Sequence, residues 1–223
     1  MLVNYQNRKV KVNMKKIKGI GLILFVVILA VIYSYGNWPR AIYDTSIGSS
    51  TYETTETLNN KSSVEQKFRC EDEGFSGVTI KLTKQGNNAI GDYQWVIEDV
   101  KSEKVIGKGV INEKSTENAD FESSNIQKQG IVELDFPRVE NSKGREYALK
   151  INALEVEDNH AIAIFITEKG EGESSLIVNG QEIEKASVIK LEYRRFNVET
   201  FVVFLAIVAY LLLFVKFMYK LFR

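Results

Sequence analysis

Leu176-Ile177-Val178-Asn179-Gly180-Gln181-Glu182-Ile183 reads as a β-hairpin. Two short strand-like runs flank Asn-Gly, and a two-residue type I′ turn needs φ > 0 at both central positions, which Asn and Gly tolerate best. The same alternation extends to both sides of this segment. Gly77-Val78-Thr79-Ile80-Lys81-Leu82 alternates cleanly, with Val78, Ile80 and Leu82 on one face. Val64–Cys70 aligns Phe68 with Cys70, and Asp92–Glu98 aligns Tyr93, Trp95 and Ile97. Val105-Ile106 and Val110-Ile111 flank Gly107 and Gly109, Ile131–Phe136 stops at Pro137, and Tyr147–Ile151 repeats the pattern. His160–Ile166 is apolar on both faces, as a doubly covered central strand is, and Val188–Tyr193 is the last strand. Eight to ten short strands and no strong amphipathic helix predict an all-β domain over 64–196, most simply a β-sandwich.

Charge and hydropathy locate that domain. The 29 basic and 29 acidic residues of the 223-residue chain cancel, which excludes a globally basic nucleic-acid binder. The cancellation hides a polarity. Residues 1–35 hold six basic residues and no acid, 36–196 hold 20 basic and 28 acidic, and 197–223 hold three basic and one acidic. Two apolar runs separate these blocks. Between Lys18 and Arg40 lie 21 uncharged residues, long enough as a helix to cross a bilayer. Tyr33, Tyr35 and Trp38 cluster at the far end like interfacial aromatics. The second run, Phe201–Phe222, is broken only by Lys216 and Lys220, whose side chains can snorkel. No small-residue cleavage site follows the first run, so it reads as an uncleaved anchor. The basic head puts the N-terminus in the cytoplasm, and two spans return the C-terminus there. The expected order is a basic cytoplasmic segment at 1–18, transmembrane helix at 19–39, polar tether at 40–63, extracytoplasmic β-sandwich at 64–196, transmembrane helix at 199–219 and cytoplasmic tail at 220–223. The tether is read from the Thr, Ser, Glu and Asn that dominate 41–63.

Chemistry-bearing residues are few. Cys70 is the single Cys and His160 the single His, which excludes an intrachain disulfide and any Cys- or His-pair metal site. Cys70 lies in phase with Phe68 and reads as a small core residue, and His160 reads as a turn residue before a strand. Glu71-Asp72-Glu73 and Glu155-x-Glu157-Asp158 are the densest acidic clusters. They suit solvated turns; oxygen-rich loops of this kind attract calcium as a structural ion, but neither cluster matches an EF-hand loop and no such ion is indicated. No cofactor is expected. Sugar recognition needs exposed aromatic rings, and Tyr93, Trp95 and Tyr147 are the candidates, although all three fall in phase with buried positions. Gly170-Glu171-Gly172-Glu173 is acidic and unsuited to phosphate. In the second span Ala206 and Ala209 form a small-residue strip that predicts packing on the first span or on a multi-pass partner. Only about seven residues separate Tyr193 from Phe201, which predicts a short link between domain and span.

The order Gln66-x-Phe68, Gly77-Val78-x-Ile80, Gly91-x-Tyr93-x-Trp95, an acidic turn, then Ser142-Lys143-Gly144-Arg145-x-Tyr147-x-Leu149-x-Ile151 resembles a known kind of module. It is similar to the extracytoplasmic β-sandwich modules of Gram-positive membrane proteins that work beside polysaccharide-export or glycosyltransferase machinery. The likeness covers about residues 64–168. It implies a jelly-roll-like architecture and a link to cell-envelope glycans, and it carries over no catalytic residue. The expected function is a non-catalytic membrane accessory whose sandwich binds a protein partner or glycan, with the lipid bilayer and a multi-pass transporter or glycosyltransferase as partners and no nucleic acid. Two alternatives are a polysaccharide chain-length regulator, which shares the two-span topology, and a surface enzyme acting on glycan.

Overall fold

The computed structural model describes residues 20–86, 89–123, 125, 127–154 and 156–222. The basic head at 1–18 lies outside these residues. Fourteen strands form two antiparallel sheets. They are β1 (Tyr35–Asn37), β2 (Arg40–Ala41), β3 (Glu53–Thr54), β4 (Ser63–Arg69), β5 (Phe75–Lys84), β6 (Tyr93–Asp99) and β7 (Lys104–Ile111), followed by β8 (Ile131–Val139), β9 (Glu146–Ala153), β10 (Ile162–Thr167), β11 (Ser174–Val178), β12 (Gln181–Ile183), β13 (Ala186–Ser187) and β14 (Ile189–Phe196). One sheet has eight strands in the order β1-β14-β5-β10-β13, with β2 on β14, β3 on β10 and β8 on β5. The other has six, ordered β12-β11-β4-β9-β6-β7. A C-terminal apolar helix follows β14 directly.

Both sheets contribute to one core. Val78, Ile80 and Leu82 of β5 are buried as their alternation requires, as are Tyr93, Trp95 and Ile97 of β6. Phe75 of β5 is the hub of an aromatic cluster. Its ring centroid lies 4.8 Å from Phe136 on β8, 5.3 Å from Tyr147 on β9, 5.6 Å from Phe68 on β4 and 6.0 Å from Tyr193 on β14. Most of these contacts are tilted or edge-to-face, the geometry that ring quadrupoles favour. Two polar side chains latch the sheets together. Gln66 on β4 accepts from Ser187 N (2.9 Å) and Oγ (2.7 Å) on β13, and donates to the Lys67 and Ser175 carbonyls (3.0 Å each). Buried polar groups stabilise only when their hydrogen bonds are made, and this amide makes four.

The hairpin turn forms as its sequence predicts: Asn179 has φ 51° and Gly180 φ 79°, joining β11 to β12 with Val178 opposite Gln181. Glycines serve a different purpose in β7. A Cβ on Gly109 would sit 2.7 Å from the Trp95 indole, and one on Gly107 would sit 2.8 Å from Phe136. Their bare backbone lets two large rings close the core, so the two flanking runs form one strand. Strand β8 does not stop at Pro137 but continues to Val139. Among the described residues β5 is its one hydrogen-bonded strand partner, and an edge strand tolerates a missing N–H.

The expected tether at 40–63 is corrected. β2 pairs with β14, placing Ala41 opposite Lys190, and β3 pairs with β10, placing Thr54 opposite Phe165. Ile42, Tyr43 and Leu58 are buried in the core. Three apolar anchors among many hydroxyls and acids were enough to fold a segment whose average composition reads as disordered. The compact β unit therefore begins at Asn37 and runs to Arg194.

The other compact unit contains the described residues 20–36 and 195–222. Helix α1 (Ile20–Ser34) is apolar but short over its described length. The expected span at 19–39 is corrected at its end, because Tyr35–Asn37 is strand. Helix α2 (Val198–Leu221) starts one residue before the expected span and ends two beyond it. Among the described residues it is the one helix long and apolar enough to cross a membrane. Asn197 caps it, its Oδ1 accepting from Thr200 N at 3.0 Å. The half-buried residues Phe201, Phe204, Leu205 and Val208 share one face of α2. The Phe204 ring on that face lies 5.5 Å from that of Tyr33 on α1. On α1 the fully buried residues are the small ones, Ala30 and Ser34, one turn apart. Ser34 Oγ donates back to the Ala30 carbonyl (2.6 Å), so its hydroxyl is satisfied locally.

Candidate functional site

The aromatic candidates are core residues. Tyr93 and Tyr147 are completely buried and Trp95 is 6% exposed. Tyr93 is the second latch between the sheets: its hydroxyl donates to the Leu58 carbonyl (2.7 Å) and accepts from Ile162 N (3.0 Å). Tyr147 packs on Phe75 and Phe68, and burial, with Cys70 nearby, pushes its phenol up to about 12. None of the three rings is presented to a ligand. Ala206 and Ala209 are exposed, away from the face of α2 that carries Phe204.

The reactive candidates are likewise occupied by structure. Cys70 is buried, and burial drives its thiol up to about 12 against the opposing hydrogen bond of Tyr193. A thiol held that high supplies no thiolate at neutral pH. His160 lies in a 3₁₀ turn before β10, its Nδ1 3.9 Å from Glu157 Oε2. In the first acidic cluster, Arg40 reaches Asp72 at 2.5 Å and Glu71 at 3.1 Å. Arg40 thus brings a positive charge to this turn. Among the described residues no group of three His, Cys, Asp or Glu side chains is arranged to hold a metal ion. Glu155 lies outside the described residues.

A further candidate site lies over the outer face of the eight-stranded sheet. A groove of about 380 Å³ lies between that face and the segment 43–52, within the size range of small-molecule sites. Thr79 and Lys81 of β5, Ile131 of β8 and Lys190 of β14 line it from the sheet. The pleat dictates this set, because Val78, Ile80 and Leu82 turn inward and their odd-numbered neighbours turn outward. Thr79 is register partner to Lys190, which brings the two side chains side by side.

Segment 43–52 is a built wall. Asp44 Oδ1 accepts from Ser46 N (2.8 Å) and Ser46 Oγ (2.7 Å), an Asx turn. Thr51 N and Oγ1 both donate to the Gly48 carbonyl (3.0 and 2.8 Å), closing the 3₁₀ turn Ser49–Thr51. Asp44 N donates to the Glu168 carbonyl (3.0 Å) and Gly170 N to the Ile42 carbonyl (3.0 Å), fixing the segment to the β10–β11 connection. A Cβ at Gly170 would lie 3.1 Å from Ile42 and Tyr43 main-chain atoms, so a glycine suits this close approach. The Tyr43 and Tyr52 rings meet edge to face at 5.9 Å and 79°. Burial and the neighbouring Tyr52 push the Tyr43 phenol up to about 12, so it keeps its proton at any physiological pH.

Lys81 Nζ donates to the Gln129 carbonyl at 2.6 Å and lies 5.2 Å from the centre of the Phe165 ring. Burial lowers its pKa. Thr79 Oγ1 donates to Glu192 Oε1 at 2.7 Å. Burial raises the Glu192 carboxyl, as do the charges of Glu133 and Asp135, against the hydrogen bond from Thr79 and the charge of Lys190. The described lining thus contains hydroxyls, one amide, two ammonium groups and two phenols, together with the aliphatic Ile47, Ile80, Ile131 and Val188. It is equipped to hold a ligand with both polar and apolar faces. Its residues are scattered between positions 43 and 190, and the only local signal for it was the outward phase of Thr79 and Lys81.

No protein-family model matches the chain, and no curated protein is significantly similar to it in sequence.

Proposed function

We propose that this chain is a non-catalytic, membrane-anchored accessory of a cell-envelope glycan assembly or export complex, and that it binds glycan in the groove under segment 43–52. In this reading α1 and α2 both cross the membrane, both termini are cytoplasmic, and residues 37–194 form a jelly-roll-like domain outside. The apolar length of α2 supports the anchor. The observation that carries the binding role is the groove itself: a concavity lined by the half-buried Tyr52 ring, by the edge of the buried Tyr43 and by hydroxyls from Thr45, Ser46, Ser49 and Thr79. Rings with hydroxyls and amides around them suit polyols, which present apolar faces and hydroxyl edges. The chain-length-regulator alternative calls for long ectodomain helices. Among the described residues of 37–194 the helical elements are two 3₁₀ turns, which favours the binding-module reading.

The test uses the full chain in lipid nanodiscs and fluorescently labelled fragments of Gram-positive cell-wall glycan. Binding is expected, with the glycan recovered at unchanged mass. Filling the groove by Ser49→Trp should abolish it. Failure of any fragment to bind, binding that survives Ser49→Trp, or cleavage of the glycan would refute the proposal.

A further inference from the structure

Resting on the glycan reading of the groove, we infer that the glycan it takes is acidic: a hydroxyl-rich chain carrying carboxylate or phosphate groups. The lining argues for both halves of that description. Residues 37–194 hold 28 acidic against 19 basic residues, yet the described lining includes Lys81 and Lys190 and no Asp or Glu. Lys81 is buried and its ammonium already donates to the Gln129 carbonyl, so the ammonium exposed to a ligand here is that of Lys190, beside Thr79 and with Glu133 on the far side of Thr79. Lys190 is exposed on β14 and projects on the same face as Thr79. Gln127 adds an amide.

The hydroxyl half comes from two side chains whose protons are already committed. Thr79 gives its proton to Glu192, and Ser46 gives its proton to Asp44. Each hydroxyl oxygen keeps lone pairs that can accept from a sugar hydroxyl. Three carboxylates stand nearby. Asp44 and Glu192 are those two acceptors, and Glu133 is register partner to Thr79 on its other side. Asp44 and Glu192 reach the groove through the hydroxyls in front of them, and burial shifts Glu192 toward its neutral form. Hydroxyls that accept, beside the ammonium of Lys190, fit an acidic polyol better than a neutral one, because an anionic group adds charge–charge attraction to the hydrogen bond that a neutral hydroxyl would make to the same ammonium.

The experiment measures binding of three probes to the full chain in phosphatidylcholine nanodiscs: tri-galacturonate, tri(glycerol phosphate) and neutral maltotriose. At least one acidic probe should bind about tenfold more tightly than maltotriose, and added salt should weaken it. Lys190→Gln, at an exposed position, should erase most of that preference while leaving the melting temperature unchanged. Preference for galacturonate assigns a carboxylated glycan, and preference for glycerol phosphate a phosphate-bearing one. Maltotriose binding as tightly as either acid would overturn the inference and leave the groove a glycan site. Acid binding insensitive to Lys190→Gln but lost in Ser49→Trp would do the same. Silence from all three probes, or binding that survives Ser49→Trp, would overturn both readings.

Discussion

Two glycines with nearly the same backbone should respond very differently to a methyl group. Gly180 in the hairpin turn has φ +79° and Gly130 has φ +67°, both in the left-handed region that L side chains resist. A Cβ at Gly180 meets nothing within 4 Å, so Gly180→Ala bears only the backbone cost, about 1 kcal/mol. A Cβ at Gly130 would lie 1.8 Å from the Leu82 carbonyl oxygen, far inside contact distance. Relieving that clash means moving a segment held by two hydrogen bonds, Leu82 N to the Gly130 carbonyl (2.8 Å) and Gly130 N to the Ala119 carbonyl (2.6 Å). Losing both, with the buried Leu82 N–H left unsatisfied, adds about 2–4 kcal/mol to the same backbone term. A domain of this size loses about 2–4 °C of melting temperature per kcal/mol. Gly180→Ala should therefore fall by about 3 °C and Gly130→Ala by about 10 °C or more. Thermal unfolding of the full chain in detergent, followed by near-ultraviolet circular dichroism, measures both. Equal shifts would refute the close packing of Gly130 against Leu82 of β5, and a large loss at Gly180 would refute the open turn.

Tyr93→Phe should cost about 1–3 kcal/mol, because it strands the Leu58 carbonyl and the Ile162 N–H inside the core; a melting temperature within 1 °C of the parent, to the ~0.5 kcal/mol expected of a surface change, would show that these groups find other partners. Glu192→Gln should raise the melting temperature at pH 7. The folded-state carboxyl is raised, so its ionisation opposes folding above that value, and the variant's advantage should vanish as pH falls below about 4, where the unfolded carboxyl is also protonated. A melting-temperature difference that is flat with pH would refute it. Cys70 should not react with maleimide in the native chain and should react fully in denaturant; fast native labelling would contradict its burial. For topology, Ser50 is exposed in the domain. In a Cys70→Ser background, Ser50→Cys should label with a membrane-impermeant thiol reagent on intact cells, and labelling only after lysis would place the domain in the cytoplasm.

How far the sequence carried depended on the range of the physics. Asn179-Gly180 announced its turn because both residues must take positive φ locally. Val78, Ile80 and Leu82 announced a strand because burial on one face imposes a period of two over adjacent residues. The apolarity of Val198–Leu221 was visible for the same reason: it runs through consecutive residues of the chain. The all-β class of the domain follows from such local signals.

Pairing and depth carry no local signature, and there the tertiary structure decided. Thr54 finds Phe165 and Leu58 finds Ile162 more than a hundred residues away. Single anchors such as Ile42 and Leu58 have no period to betray them, so 40–63 read as a tether by composition and folded as part of the sheet. Tyr93 and Trp95 had the residue types of a sugar platform, but the pleat turned them into the core, where Tyr93 became a latch and Trp95 covered Gly109. The groove needed Lys190, Thr79 and Tyr43 brought together from three distant stretches. Side-chain identity fixed which chemistry was on hand, and only long-range strand pairing, which leaves no trace among neighbours in the chain, fixed which of those groups face one another.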